Sequence, residues 1–519
     1  MTGRSPRTAI VTGKYYITTA IDYSNGEPHL GHAYEKIGAD CVARYRRLRG
    51  HEVRFVIGMD ENAQNVAQAA EAAQMATEVW VDEIAAKFQD AWRELRISHD
   101  DFIRTTERRH RRAVEELLRR IHVAGYISEG VYAGYYCVGC EAFKSEKDLE
   151  NGQCPLHPTR RINWVEEPNY FFQLGRFRDR LLAHYAAHPE FVQPRSKLNE
   201  IKNVVQEWAD DHTLSVSRQR LPWGIPWPGD PGHTVYVWFD AVINYLSATG
   251  FPEPGCERIW PADVHVIGPD IVRFHAALWP AMLMAAGLPV PNQVFCHGWV
   301  NTQGARFSKS AGVRVTLREI IDRHGPDALR YFLLREVPWG TDGDFTWERF
   351  DARYTAELAD GYGNLVSRVM AMIGRYLGGT VPDAGEPTSL DARANEAIRT
   401  YRDRMDNHML HQGAEAAWSL VDAANRFVET AAPWTLAKQD RRAELANVLG
   451  ALARALARIT MMASPFMPGK TGVVWAALGL EGTPEATPWT ALEHPPVGGR
   501  TVEKLAPLFP KPEMDSVSA

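Results

Sequence analysis

The chain has 519 residues, 45% hydrophobic and 24% charged, an ordinary globular composition and long enough for several domains. Its 58 basic and 64 acidic residues give a net charge of −6, which excludes a uniformly basic nucleic-acid binder but leaves room for a local basic face. There is no run of 18 apolar residues and no apolar leader, and six cysteines are too few for a disulfide framework, so a cytoplasmic, reducing compartment is expected.

In chain order, residues 8–125 alternate short apolar runs with helical stretches. "YYITTAID" and "VRFVIGMD" predict strands buried on both faces. "AYEKIGADCVARYRRLRG" and "TEVWVDEIAAKFQDAWREL" predict amphipathic helices, and the βαβ rhythm predicts a parallel sheet. Arginine-rich "RTTERRHRRAVEELLRRIH" at 104–122 carries interleaved glutamates and reads as a solvated helix face. From 126, tyrosine, glycine and cysteine cluster, no long helix stands out, and "LPWGIPWPGDPG" closes a stretch that reads as an insertion over 126–232. The strand–helix pattern resumes over 233–300 with "HTVYVWFDAVINYL", "DVHVIGPDIVRFHAALWPAML" and "NQVFCHGWV". A linking segment follows over 301–355, and from about 356 the chain reads as helices, broken at "GGTVPDAGEPTS" and ending in a polar tail.

Within the insertion, Cys137, Cys140, Cys154 and His157 follow a C-x2-C-x13-C-x2-H spacing. Each two-residue gap lets a pair grip one ion from a tight turn, and four such ligands complete the tetrahedron of Zn2+. With every position taken by protein, no site remains for a nucleophilic water. The expected zinc is therefore structural, one per chain, tying down a poorly cored insertion.

Two further stretches bear on phosphate. "EPHLGHAY", at 27–34, puts His29 and His32 at the corner between the first strand and its helix. A helix N-terminus favours an anion, Gly31 permits close approach, and imidazoles can donate to a phosphate oxygen as charge builds in a transition state. "GARFSKSAG", at 304–312, is a glycine-flanked basic loop after the last strand, from which Arg306 and Lys309 can reach the same phosphates. A single histidine is more often a cap or core residue, and a basic loop is often a solvated turn. Together the two stretches bracket one nucleotide site.

The pair resembles the class I aminoacyl-tRNA synthetases, with "HLGH" in place of their HIGH motif and "RFSKS" in place of KMSKS. The resemblance implies in-line attack of an amino-acid carboxylate on the α-phosphate of ATP bound with Mg2+, chemistry that needs positioning and charge stabilisation more than a base. It implies catalytic roles for His29, His32 and Lys309, the last toward the departing pyrophosphate. It also implies ATP contacts from Gly31, Asp270, Gly298, Trp299, Val300, Arg306, Ser308, Lys309 and Ser310.

Over nearly the whole chain the resemblance is to the methionyl-tRNA synthetases. "AIDYSNGEPHLGH" matches their first pocket wall and implies Ala20, Ile21 and Tyr23 at the methionine. "VYVWFDAVINYL" resembles their W-x-D-A-x-x-x-Y segment, with Trp238, Ala241, Val242 and Tyr245. "GPDIVRFHAALWPAML" resembles their I-x-x-x-H segment, with Ile271 and His275, and Asp60 in "GMDEN" stands where the family holds the substrate ammonium. A polarizable thioether packs well at the aromatic edges of Tyr23, Trp238 and Tyr245, while Tyr245 and His275 offer a polar contact to sulfur. The chain departs from the family at Val242, where relatives often have proline, at Asn62, where many have histidine before glycine, and at Pro269, where some have lysine. The insertion leaves little room for the editing domain of the leucine, isoleucine and valine enzymes.

In the helical part, Asn364 and Arg368 of "GYGNLVSRV" lie four apart on one face, and Trp434 follows a proline in "TAAPWTLAK". Both stretches resemble the family's anticodon-reading motifs, in which Asn and Arg bond base edges and Trp stacks. The expectation is an α/β protein with a Rossmann-like parallel-sheet catalytic core, 1–125 and 233–300, and an inserted zinc-binding connective domain, 126–232. A linking segment with the KMSKS-like loop, 301–355, leads to a C-terminal α-helical anticodon-binding bundle, 356–519. The expected reaction is ATP-dependent activation of methionine and its transfer to tRNA(Met) with a CAU anticodon, by a cytoplasmic monomer that touches no membrane. Three rivals stay open at this point: a class I synthetase for another small apolar or sulfur amino acid, a non-synthetase nucleotidyltransferase, and a catalytically silent tRNA-binding module.

Overall fold

A computed structural model describes residues 13–511 other than 141, 145, 156, 159, 161, 220, 222, 303–304, 307–315 and 384. Strands β1 (Lys14–Thr19), β2 (Asp22–Tyr23), β3 (Glu52–Asp60) and β4 (Asp101–Arg104) alternate with helices α1 (Leu30–Leu48), α2 (Gln64–Ala72), α3 (Thr77–Glu94) and α4 (Arg108–Val123). The apolar runs of β1 and β3 are buried along most of their length, as strands covered on both faces require. α1 ends where Gly50 turns at φ +87°, with Arg46 and Arg47 facing the negative end of the helix dipole.

The next stretch opens with a long antiparallel pair, β5 (Ile127–Cys137) and β7 (Ile162–Phe172), with β6 (Ala142–Lys144) at its edge. There follow α5 (Arg178–Ala187), β8 (Val192–Gln193), α6 (Arg195–Gln206), β9 (Leu214–Ser215), β10 (Ser217–Gln219), β11 (Pro226–Trp227) and β12 (Asp230–Val235). Short helices α7 (Val237–Ala241) and α8 (Asn244–Ser247) lead to β13 (Val264–Ile267), α9 (Trp279–Ala285) and β14 (Val294–Cys296). The main sheet is parallel throughout. β1 lies at its centre between β3 and β13, β14 and β8 continue beyond β13, and β2 and β4 both pair with the far end of β3.

Two strands pair differently from the sequence reading. The strand expected at 233 forms as β12, but antiparallel to β10 and β11 in a small sheet of its own, so the first returning strand of the main sheet is β13. Conversely β8, from within the inserted stretch, joins the main sheet beside β14. An apolar period marks a strand without naming its partner: β8 pairs across a large sequence separation, while β12 folds back on the strands just before it. The stretch also holds two helices, α5 and α6, of 10 and 12 residues.

Beyond β14, β15 (Val300–Thr302), β16 (Ala305–Arg306) and β17 (Gly343–Phe345) form another small sheet, with α10 (Leu317–His324) and α11 (Pro326–Glu336) before β17. α12 (Trp347–Arg353), a π-helical stretch (Tyr354–Gly363) and α13 (Asn364–Leu377) then run on without a break. The bundle is completed by α14 (Ser389–Asp406), α15 (Leu410–Ala431), α16 (Pro433–Lys438), α17 (Arg442–Ala463) and α18 (Pro468–Ala477). By length and composition α17 would pass for a membrane span, yet 78% of its apolar stretch is buried inside the protein. It is apolar all round because it packs against α13, α14 and α15 as the core helix of the bundle.

The apolar core lies on both faces of the sheet, one side continuous with α1, α11 and the bundle, the other with α4, α9 and the inserted stretch. The α14–α15 turn joins bundle to sheet. Asp406 accepts from Tyr45 Oη at 2.8 Å and Arg49 Nη1 at 3.0 Å of α1. Next to it His408, at φ +58°, meets Phe295 and Trp339 edge-on. Arg330, fully buried on α11, pairs with Asp40 at 2.7 Å and donates to the carbonyls of Leu95, Pro465 and Phe466.

Candidate active site

The carboxyl ends of β1, β3 and β13 open on one side of the sheet, where ligands of open α/β folds bind. There Ala20, Ile21 and Tyr23 follow β1, and Asp60 ends β3. Trp238, Ala241, Val242 and Tyr245 come from α7, α8 and their junction, and Ile271 and His275 from the turn after β13. These ten residues, the ones the family resemblance implies for methionine, line one small cleft. Trp238 lies face to face with Phe274 at 3.9 Å and edge-on to Tyr23 at 6.1 Å. Phe274 escaped the sequence reading; its only signal was an aromatic beside His275.

Tyr245 Oη donates to His275 Nε2 at 2.6 Å, and His275 Nδ1 donates to the Ile271 carbonyl at 3.0 Å. Burial pushes His275 down to about 4 and Tyr245 well above its ordinary range, so both are neutral at working pH. Both nitrogens of His275 and the single hydroxyl proton of Tyr245 are thus engaged within the wall, so the donor either was expected to offer sulfur is spent on a neighbour.

The "HLGH" corner answers why two histidines stand there. His29 is the N-cap of α1, and its Nδ1 accepts from the backbone N–H of Gly31 at 3.1 Å and of His32 at 3.4 Å. His32 Nδ1 accepts in return from the His29 N–H at 3.3 Å, and the two rings stack at 3.7 Å. The first helix amides, expected to face a phosphate, are therefore held by an imidazole. Because each Nδ1 is an acceptor, each neutral ring carries its proton on Nε2, and the Nε2 of His32 lies 4.0 Å from Asp22 Oδ1.

Behind the corner runs a buried chain of charges. Lys36, fully enclosed, donates to Asp22 Oδ1 at 2.7 Å, Glu35 Oε1 at 2.8 Å and the Ala20 carbonyl at 3.1 Å, one acceptor for each ammonium proton. Glu35 Oε2 meets His297 Nε2 at 3.2 Å, and His297 Nδ1 donates to the Gly298 carbonyl at 2.7 Å. Burial, only partly offset by Lys36, lifts Asp22 to about 7. Burial also works on Glu35, but Lys36 and His297 outweigh it and hold the carboxyl below its ordinary range. The chain joins the strand under the cleft to the segment expected at ATP.

That segment, Gly298, Trp299 and Val300, is backed by residues 338–343. Gly298 N donates to the Trp339 carbonyl at 2.9 Å, Trp299 N to Asp342 Oδ1 at 2.8 Å, and Gly343 N to the Trp299 carbonyl at 2.9 Å. Trp339 and Asp342 are supports the sequence reading missed, about 40 residues away from what they hold. Asp270 stands exposed in the short turn after β13. Of the basic loop, Ser308, Lys309 and Ser310 lie outside the described residues, and Arg306 is described only as backbone in β16.

The four expected metal ligands meet. Cys137 ends β5, Cys140 follows in the turn, and Cys154 and His157 face each other across a one-residue bridge. Cys140 Sγ lies 3.4 Å from Cys154 Sγ and 3.2 Å from His157 Nδ1, and all four donor atoms fall within 4.8 Å of one another. A tetrahedron with zinc–sulfur bonds has edges of about 3.7 Å, so the donor set and its spacing fit that ion. A Cβ at Gly139 would meet the His157 ring at 2.6 Å, which accounts for glycine in the turn. Trp238 Nε1 donates to the Cys140 carbonyl at 3.5 Å, so this knuckle touches the cleft wall.

At the far end of the bundle, Asn364 is exposed at the start of α13, and Arg368 one turn on donates to Glu429 at 2.5 Å. Glu429 is in the last turn of α15, after which Ala432, at φ +43°, swings the chain into α16 and leaves Trp434 36% exposed. The three residues implied for the anticodon are so gathered at one end of the bundle.

Residues 15–163 and 148–370 match the family model of class I tRNA synthetases (M), and residues 378–511 match that of the anticodon-binding domain of methionyl tRNA ligase. The chain is 40% identical over 511 residues to a methionine–tRNA ligase of Thermotoga maritima, covering 96% of this chain and 80% of that one. It is 39% identical to that of Streptomyces coelicolor, covering 96% and 97%. A Mycobacterium tuberculosis methionyl-tRNA synthetase solved with methionyl-adenylate superposes with a TM-score of 0.91 at 37% identity, over 96% of this chain and all of that one. A fold with this sheet, this cleft and this helical appendage, matched over 96% of its length, shows that the chain belongs to the class I methionyl-tRNA synthetase family.

Proposed function

We propose that the chain is a methionine–tRNA ligase, activating methionine with ATP and charging tRNA(Met) with the product. The observation that carries this reading is the cleft. Ten residues from four separate stretches of sequence line it together, and Lys36 ties its floor to the "HLGH" helix. In this reading Asp60 holds the substrate ammonium, and the thioether lies among Tyr23, Trp238 and Tyr245. A methionine carboxylate oxygen attacks the α-phosphorus in line, the bond to the bridging oxygen breaks, and pyrophosphate leaves toward Lys309. His29 and His32 donate through Nε2–H to phosphate oxygens that gain charge, and Gly31, Asp270, Gly298, Trp299, Val300 and the 306–310 loop hold the nucleotide. Bound with ATP, Mg2+ supplies charge neutralisation on the phosphates. A terminal ribose hydroxyl of the tRNA then attacks the activated carbonyl and releases AMP.

Zn2+ held by Cys137, Cys140, Cys154 and His157 supplies a structural cross-link in the insertion. Asn364, Arg368 and Trp434 read a CAU anticodon. The domains follow the division read from sequence except that β8 joins the core sheet and β12 the small sheet before it, and the protein works as a monomer in the cytoplasm.

The test is amino-acid-dependent ATP–pyrophosphate exchange, comparing methionine with leucine, isoleucine, valine and cysteine. Exchange driven mainly by methionine is expected; silence with all five, in folded zinc-loaded protein, overturns the reading in favour of an RNA-binding module. Lys309→Ala should depress adenylate formation strongly with methionine affinity intact, and loss of both together refutes its role.

A further inference from the structure

Behind the aromatic wall of the cleft lies a buried polar cluster that the reaction as derived does not use. Asp240, in the middle of α7, is completely enclosed. Its Oδ1 accepts from His110 Nε2 at 2.6 Å and its Oδ2 from Asn62 Nδ2 at 2.9 Å. His110, on α4, is equally buried and pairs through Nδ1 with Ser247 Oγ of α8 at 2.9 Å. Asn62 gives its other amide proton to the Thr105 carbonyl at 3.1 Å, and Ser247 Oγ also donates to the Ile243 carbonyl at 2.9 Å. One carboxylate therefore gathers the loop after β3, the start of α4, and through His110 the helix α8.

Each of these elements except α4 carries cleft residues: Asp60 two positions before Asn62, Trp238 and Ala241 on either side of Asp240, and Tyr245 two before Ser247. Asp240 itself does not line the cleft, since at 100° per residue it points away from the face that Trp238 and Val242 share. α7 has only five residues, too few to hold a shape alone, so its placement comes from tertiary contacts. A buried, doubly hydrogen-bonded carboxylate is a strong one, and left unpaired it is costly enough to move whatever carries it.

We propose that Asp240, gripped by His110 and Asn62, is a positioning residue that sets the spacing between Asp60 and the wall formed by Trp238 and Tyr245. It thereby sets the length of side chain the cleft accepts. The ammonium end and the thioether end of the substrate are held by different elements, and this carboxylate is where the two are joined. The proposal rests on the methionine reading of the cleft, and it gives the departure at Asn62 a purpose: the amide donates to Asp240 and to Thr105 at once.

The test is steady-state pyrophosphate exchange with Asp240→Asn, which keeps the shape but sets an amide against the Asn62 amide. The expected result is a rise of about tenfold or more in KM for methionine, KM for ATP within about twofold, and a weakened preference for methionine over ethionine, which is one methylene longer. A parallel rise in both KM values, or an unchanged KM for methionine, overturns the proposal. Should Asp240→Asn fail to fold, Asn62→Ala removes one bond of the two and should raise KM for methionine by about threefold with KM for ATP unmoved. Failure of the underlying reading shows separately, as absence of methionine-dependent exchange in the unaltered protein.

Discussion

Gly298→Ala tests the nucleotide half of the site through a single methyl group. A Cβ on residue 298 would lie 1.9 Å from the Thr341 carbonyl oxygen, 2.0 Å from its carbon and 2.6 Å from Asp342 N. All three are backbone atoms, so no side chain can swing aside, and reaching ordinary contact requires a displacement of about 1.5 Å. Hydrogen bonds from Gly298, Trp299 and Gly343 lock the two segments in register, so the displacement must carry Trp299 and Val300 with it. Misplacing a reacting group by about 1 Å costs on the order of a hundredfold in rate. The expected result is a fall of about a hundredfold in kcat/KM for ATP in pyrophosphate exchange, while methionine binding, followed by tryptophan fluorescence, stays within about threefold. Circular dichroism and the unfolding midpoint check that the fold survives. A folded variant with kcat/KM for ATP within about threefold of the parent would refute the placement of this segment at the nucleotide.

Lys36→Met leaves Asp22 and Glu35 buried without their shared cation, and a broken buried pair typically costs about 3–5 kcal/mol; denaturant unfolding that shows a loss below about 1 kcal/mol would count against the network. Burial pushes His408 down to about 3, so between its ordinary value and that one the unfolded chain takes up a proton the folded chain refuses. Its contribution is present above about pH 6.5 and shrinks as pH falls, by about 2 kcal/mol at pH 5; His408→Asn should flatten the fall of the unfolding midpoint between pH 7 and pH 5, and an unchanged slope refutes this. Trp434→Ala should slow tRNA charging well beyond twofold, roughly the 1–3 kcal/mol of a lost stack, while pyrophosphate exchange without tRNA is unaffected; a change within about twofold removes the residue from RNA reading.

Much of the site was legible because its chemistry is local in sequence. Cys137 with Cys140 and Cys154 with His157 each announce a metal grip over four residues, and Trp238 through Tyr245 lie within two turns of chain. The parallel character of the sheet was legible for the same reason, since alternating strand and helix periods are short-range signals. What escaped depends on distant partners. The pairing of β8 with β14 and the support of Gly298 by Trp339 and Asp342 each join segments whose local patterns say nothing of one another. The reciprocal capping of His29 and His32 escaped for a different reason. Histidine seldom caps helices, so a pattern that suggested ligands hid a structural duty performed by the same rings.

α15 is one unbroken helix of 22 residues, about 33 Å from end to end. One end delivers Trp434 to the surface, and the other begins beside Asp406 and His408, which hold α1 and Phe295. A stiff lever of that length turns a tilt of roughly 5° at one end into about 3 Å of travel at the other. Hydrogen bonds of 2.8 and 3.0 Å from Tyr45 and Arg49 to Asp406 do not stretch so far and survive. One stiff helix and the bonds to Asp406 thus stand between the exposed Trp434 and the helix whose first turn carries the paired imidazoles.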